Sequence, residues 1–298
     1  MSRIHDALKR AEQERATSLG GHVEPIVETP EPQPVVVPSP SHAATAVMPT
    51  LTSAITYETL LARCPQSQWS PDSRSMLFFD RDENRPGAEE FRTLRSRLYQ
   101  IREKLPLKKL MVTSALPKEG KSFVSANLAQ VMVKQQGRRT LVIDADLRSP
   151  GMHRHLGTQQ SPGLSEYLMG ETDEFGILQR GPMENLFFVP AGRSTPGAAE
   201  LLSNGRLKLF LQRVEPMFDW IILDTPPVIP VSDSTLLANF CDGVLMVVRA
   251  NSTPSDLARR AREEFQDKLL LGVVLNGAQP DVAKSKYYYY GEAQDNHA

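Results

Sequence analysis

Unbroken apolar runs punctuate this chain at Leu110–Val112, Leu141–Ile143, Leu186–Val189, Trp220–Leu223, Gly243–Val248 and Leu270–Leu275. A strand that alternates apolar and polar positions leaves one face in water, whereas a run without alternation belongs to a strand covered on both faces, as in a parallel sheet. Between the runs the spacing becomes helical. Phe91, Leu94, Leu98 and Ile101 share one face of a helix over residues 87–103, and Val124, Leu128, Val131 and Met132 mark another. Further helices are predicted at Gly163–Met169, Ala198–Leu202, Arg206–Val214, Ser232–Asn239 and from Ser252–Pro254 to Gln266. Strand and helix signals in alternation predict an α/β fold, a mostly parallel sheet with right-handed crossovers and flanking helices. Residues 57–85 are less regular, with a candidate short helix at Tyr57–Ala62 and a candidate strand at Met76–Phe79.

The ends of the chain read differently. Ile4, Ala7, Leu8 and Ala11 form a stripe on a mixed-charge helix over residues 1–16, readable as a solvated helix or as a docking helix for a partner. It has no continuous apolar core and is therefore not a signal peptide. From Ala16 to Thr56 the chain carries Pro25, Pro30, Pro32, Pro34, Pro38 and Pro40 and no Lys or Arg. Such a segment cannot bury enough surface to fold and is expected to be a semi-rigid tether. The expected organisation is a helix over 1–16, a Pro-rich linker and poorly defined segment over 17–74, one α/β domain over 75–280, and a tail over 281–298. With 298 residues the chain has room for one sizeable core, and its net charge of −1 argues against a nucleic-acid partner. Cys64 and Cys241 are too few and too far apart for a disulfide framework or a zinc site, which fits a reducing cytoplasm. No apolar run approaches the roughly 18 residues of a membrane-spanning helix.

Candidate chemistry enters at residues 108–129, KKLMVTSALPKEGKSFVSANLA. The strand at Leu110–Val112 runs into a tight polar loop ending in Gly120, Lys121 and Ser122, and a helix follows at once. Backbone N–H groups of such a loop and of the first helical turn converge on one point, where the helix dipole also favours negative charge. The loop reads as a polyphosphate cradle built from Pro117, Lys118, Glu119, Gly120, Lys121, Ser122 and Phe123. Lys121 would reach the β- and γ-phosphates, and the Ser122 hydroxyl would take one position on Mg2+. Ala115 replaces the first glycine of G-x-x-x-x-G-K-[ST], so the loop taken alone is also compatible with a helix-capping turn.

Two further stretches change that picture. RTLVIDADLR over 139–148 and DWIILDTPP over 219–227 are strands ending in Asp144 and Asp146 and in Asp224. One carboxylate after a strand is most simply a turn or an N-cap. Two such ends beside a phosphate loop define a shared crevice at the carboxyl edge of the sheet and assign the acids to a metal site. Arg148 could contact a phosphate or pair with an acid. His153 and His155 read as exposed, solvated side chains rather than ligands.

Together ALPKEGKS, LVIDADLR and IILDTPP resemble the Walker A, Walker A′ and Walker B motifs of the bacterial tyrosine kinases (BY-kinases) of capsule and exopolysaccharide systems, over roughly residues 75–291. The resemblance implies a P-loop NTPase-like fold, ATP and Mg2+ as ligands, and catalytic roles for Lys121, Asp144, Asp146 and Asp224. Asp144 would orient the attacking phenol and accept its proton. Ser122 and Asp146 would help hold the metal, with Asp224 in its outer shell. Asn276, at a carboxyl strand end, would by the same resemblance touch adenine; a turn asparagine is the other reading. The spacing Glu89, Arg92, Arg95 fits a solvated ion-pair face, and by resemblance it implies self-association into a ring. Also implied is a membrane chain-length regulator that completes the site, this chain being the separate cytoplasmic form recruited to the membrane.

Tyr287, Tyr288, Tyr289 and Tyr290 stand consecutively in an otherwise polar segment. An edge strand or a hydrophobic patch would accommodate them, and the resemblance implies an autophosphorylation cluster. A function of another class stays open, the deviant-Walker ATPase switch of positioning and partition systems. Its signature lysine falls at the position occupied here by Leu116.

Overall fold

The computed structural model describes residues 55–64, 66–79 and 85–278. The expected N-terminal helix, the tether before residue 55 and the tyrosine-bearing tail lie outside these residues. Strands β1 (Lys109–Ser114), β2 (Thr140–Asp144), β3 (Gln179–Arg180), β4 (Leu186–Val189), β5 (Trp220–Asp224), β6 (Gly243–Arg249) and β7 (Leu270–Asn276) form one sheet in the order β3-β4-β2-β5-β1-β6-β7. All neighbours run parallel except β3 and β4. The helices are α1 (Tyr57–Arg63), α2 (Ala88–Arg102), α3 (Lys121–Val133), α4 (Met152–Leu156), α5 (Leu164–Met169), α6 (Glu174–Ile177), α7 (Ala198–Ser203), α8 (Arg206–Val214), α9 (Asp233–Ala238) and α10 (Ser255–Glu263).

The apolar runs at β1, β2, β4, β5 and β6 are strands covered on both faces, whereas β7, at the edge of the sheet, leaves Val273 and Leu275 exposed against that expectation. Within β5, Ile221 and Leu223 join the cluster that contains Leu168, Leu202 and Phe210, while Trp220 and Ile222 join the cluster under α2 and α3 with Leu98 and Leu128. Successive side chains of a strand point to opposite faces, so each face needs its own apolar set. Burying one such side chain stabilises the fold by about 1.5–3 kcal/mol. The central strands β2, β5 and β1 are therefore fixed side by side from above and below. Their carboxyl ends open at one edge.

The packed region begins earlier than residue 75. Thr56 caps α1 by accepting the Thr59 N–H at 3.2 Å. Leu60 and Cys64 are buried in the first core cluster, and the Tyr57 ring meets Phe187 edge-on with centroids 6.2 Å apart. Downstream, Trp69 meets Phe188 at 6.1 Å. Leu60, Cys64 and Trp69 thus pack into the core from within the segment grouped with the linker.

Met76–Phe79 is not a strand, which corrects the reading of its apolar run. Met76, Leu77 and Phe78 are buried, yet their backbone crosses α3 and bonds to side chains instead of to a ladder. Asn127 Oδ1 accepts the Leu77 N–H at 2.8 Å, and Gln130 Oε1 accepts that of Phe78 at 3.2 Å. Asn127 Nδ2 donates to the carbonyls of Ser75 at 2.8 Å and Phe123 at 2.9 Å. Two buried amides on the outer side of α3 do the work of a neighbouring strand.

Asn127→Ala should strand the buried Leu77 N–H and cost about 1–3 kcal/mol. Urea unfolding would show this as a lower midpoint at unchanged slope; a midpoint equal to wild type would refute the assigned role of the amide.

Candidate active site

The phosphate loop follows β1 directly. Lys118 (φ 66°) and Gly120 (φ 98°) both adopt left-handed backbone, and they turn the chain sharply into α3. A Cβ at Gly120 would lie 2.0 Å from Asn276 Nδ2, so glycine is required there twice over, for its φ and for space. Among the described residues, the N–H groups of Lys118, Gly120, Lys121 and Ser122 have no backbone acceptor. Unpaired donors at the start of a helix make a site for an anion. Phe123 contributes only backbone to this region, because its ring packs against Phe91 at 5.8 Å. Pro117 and Lys118 are exposed. The Glu119 side chain is engaged within the loop itself, accepting the Leu116 N–H at 2.8 Å.

The acids arrive by strand register. Asp144, the last residue of β2, is paired with Asp224, the last of β5, and Asp224 is paired with Val112 of β1. Lys121 Nζ donates to Asp146 Oδ2 at 2.9 Å, while Ser122 Oγ donates to Asp224 Oδ2 at 2.5 Å. Ser125 Oγ reaches the other oxygen of Asp224 at 3.2 Å. Asp144 Oδ1 accepts the N–H of Asp146 at 3.2 Å, and Oδ2 accepts those of Gly151 at 3.2 Å and Met152 at 3.1 Å. The side chains expected to act together do meet.

Burial dominates their electrostatics. It opposes the charge on Lys121, but the carboxylates of Asp224, Asp146 and Asp144 outweigh it and raise the lysine pKa. Asp144 is pushed up to about 7, first by burial and then by the charge of Asp224, with Lys121 and the Met152 N–H pulling the other way. Asp224 is also raised by burial, against the opposing pull of Lys121 and Ser122.

The AAA domain family matches residues 118–255. Tyrosine-protein kinase YwqD of Bacillus subtilis (strain 168) is 35% identical over 211 residues, which cover 70% of this chain and 88% of that protein. The chain belongs to the bacterial tyrosine kinases. Tyrosine-protein kinase CpsD of Streptococcus agalactiae serotype III (strain NEM316) is likewise 35% identical, over 179 residues covering 58% of this chain and 76% of the relative. The kinase domain of Escherichia coli tyrosine kinase ETK superposes with a TM-score of 0.61 at 30% identity, covering 64% of this chain and 75% of that one. The P-loop fold of this kinase family accords with the tight loop at Gly120 that leads from β1 into α3.

The remaining residues singled out in the sequence take varied places. Asn276 donates to the Glu119 carbonyl at 2.9 Å and so braces the phosphate loop. Arg148 takes the second of its two readings, since Nε and Nη2 bind the fully buried Asp233 at 2.6 and 3.0 Å. His155 is half-buried rather than exposed and its Nδ1 lies 3.2 Å from Ser75 Oγ; His153 Nδ1 is buried with no partner among the described residues. Burial holds both imidazoles below their ordinary pKa. On α2, Arg92 pairs with Glu89 at 3.0 Å on the exposed side, but Arg95 turns inward to the Val131 carbonyl of α3 at 2.9 Å. Reasoning from sequence missed Ser125 and Asp233. Ser125 carried a faint signal, one turn beyond Ser122 on the same helix face, whereas nothing local marks Asp233 as a partner of Arg148.

Asp144 makes stability depend on pH. Its folded pKa of about 7 exceeds the ordinary 3.8, so the native state holds the proton longer and loses stability as pH rises between those values. The melting temperature of Asp144→Asn relative to wild type should therefore rise between pH 5 and pH 8. A difference that is flat or falls with pH would contradict the assignment.

Proposed function

We propose that this kinase transfers the γ-phosphoryl group of ATP to tyrosine, with its own Tyr287–Tyr290 cluster as first acceptor, and so regulates assembly or export of a capsular or extracellular polysaccharide. The observation that supports the reading is the meeting of Lys121, Asp144, Asp146 and Asp224 beside the phosphate loop, at the buried carboxyl ends of β2 and β5. The N–H groups of Lys118, Gly120, Lys121 and Ser122 bind the phosphates, and Lys121, kept charged by its carboxylate neighbours, neutralises charge that grows during transfer. A phenol with a pKa near 10 does not ionise by itself at neutral pH. Asp144 orients it and takes its proton, and the raised pKa makes Asp144 a stronger base than an ordinary carboxylate.

The residues present also fit Mg2+. Among the described residues no group of three or more His, Cys, Asp or Glu side chains is assembled as a cation cage. Mg2+ prefers one or two carboxylates, water and substrate phosphates, and here Ser122, Asp146 and Asp224 supply that smaller set. When bound, the metal would offset negative charge on the phosphates.

Between Asn276 and Tyr287 the chain is long enough, at most about 36 Å when extended, to reach a site on its own subunit or on a neighbour. A radius of gyration near 16 Å for a domain of about 200 residues sets the scale for comparison. Glu89, Arg92 and Arg95 are proposed as part of a ring contact that would favour transfer between subunits. Among the described residues no helix is long and apolar enough to cross a membrane. A membrane-anchored chain-length regulator is proposed as the activating partner that brings the kinase to the inner face of the membrane.

Intact mass after incubation with Mg2+ and ATP, with a candidate activator present, tests the reading. Wild type should gain about 80 Da per phosphate, whereas Lys121→Met and the variant with phenylalanine at all of Tyr287–Tyr290 should gain none. ATP consumed with no change in mass would transfer support to the ATPase switch.

A further inference from the structure

The phosphate loop holds one carboxylate that phosphoryl transfer does not use. Glu119 is only 3% exposed. Its Oε2 accepts the Leu116 N–H at 2.8 Å, closing the turn upon itself, and its Oε1 accepts the hydroxyl of Thr253, beyond the end of β6. Thr253 Oγ1 in turn accepts the Arg249 N–H at 3.2 Å. Two more bonds grip the loop from the same side, from Arg249 Nη1 to the Lys118 carbonyl at 3.3 Å and from Asn276 Nδ2 to the Glu119 carbonyl at 2.9 Å.

A buried carboxylate is costly unless its oxygens are hydrogen-bonded. Both oxygens of Glu119 accept bonds, and from groups that fix the loop. Lys118 is a non-glycine residue in left-handed backbone (φ 66°), a conformation that persists only where its surroundings impose it. We infer that Glu119 is a positioning residue for nucleotide binding, its carboxylate latching the phosphate loop to Thr253 so that the N–H groups from Lys118 to Ser122 stay aimed at one point. The inference rests on the nucleotide-binding reading of the loop and is independent of tyrosine transfer.

Binding of a fluorescent ADP analogue with Mg2+ to the full-length chain tests it. Glu119→Ala should weaken binding about 10-fold, equivalent to about 1.4 kcal/mol. Thr253→Val should lose a similar factor, and the double variant little more than either alone. Glu119→Gln, which keeps an acceptor for Leu116 and a donor toward Thr253, should recover most of the affinity. In turnover with ATP, KM should rise in Glu119→Ala by a larger factor than kcat falls. Because ADP binding is read without phosphoryl transfer, a failure of tyrosine phosphorylation would leave this test intact. Should Glu119→Ala lower the melting temperature enough to unfold at the assay temperature, Thr253→Val, which leaves the buried carboxylate in place, decides by its affinity alone. An unchanged or tighter affinity in that variant, or losses that multiply in a folded double variant, would overturn the latch.

Discussion

Everything at the carboxyl edge depends on one register. With β2, β5 and β1 adjacent, Asp144 stands opposite Asp224 and both stand over the start of α3, so three aspartates surround a single lysine in a buried space. Taking that many carboxylates out of water with one cation is unfavourable, and the imbalance appears as raised affinity for protons at Asp144 and Asp224. The site therefore carries a surplus of negative charge that neighbouring main-chain N–H groups relieve only in part. A divalent cation or a proton would relieve the rest.

The sheet was legible because a strand buried on both faces has a local signature. β1, β2, β4, β5 and β6 fall on such runs, β7 carries a run as well although it is an edge strand with Val273 and Leu275 exposed, and the two-residue β3, Gln179–Arg180, had no run to reveal it. The failure at Met76–Phe79 has a different origin. An apolar strap and a strand look alike over four residues, and they differ only in whether their N–H groups find another backbone or, as here, the amides of Asn127 and Gln130. The short helix read at Tyr57–Ala62 is present as α1, but a single turn or two with few apolar positions did not show that Leu60, or Trp69 beyond it, enters the core.

The site followed the same rule. Lys121, Ser122, Asp144, Asp146 and Asp224 sit at the ends of apolar runs, where a parallel sheet gathers polar groups whatever the rest of the chain does. Contacts set by tertiary packing were not legible. Arg148 and Asp233 lie 85 residues apart, Glu119 and Thr253 134 apart, and no spacing or composition links either pair. The bracing role of Asn276 was concealed by a position that also suited a base contact or a turn.

Helix α3 is closed in on every side. From Val124 to Met132 each of its residues is buried, against the sheet on one side and against α2 and the strap at Met76–Phe78 on the other. A helix wedged in this way has no slack in which to rock, so Lys121 and Ser122 serve as a fixed datum and accommodation to a nucleotide falls to the loops around them. The strap hangs from the same helix by two amide side chains. Tension on the chain would reach Asn127 and Gln130, one and two turns beyond Lys121 and Ser122, once the upstream contacts of α1 and Trp69 had given way, which makes α3 a mechanical anchor for the strap.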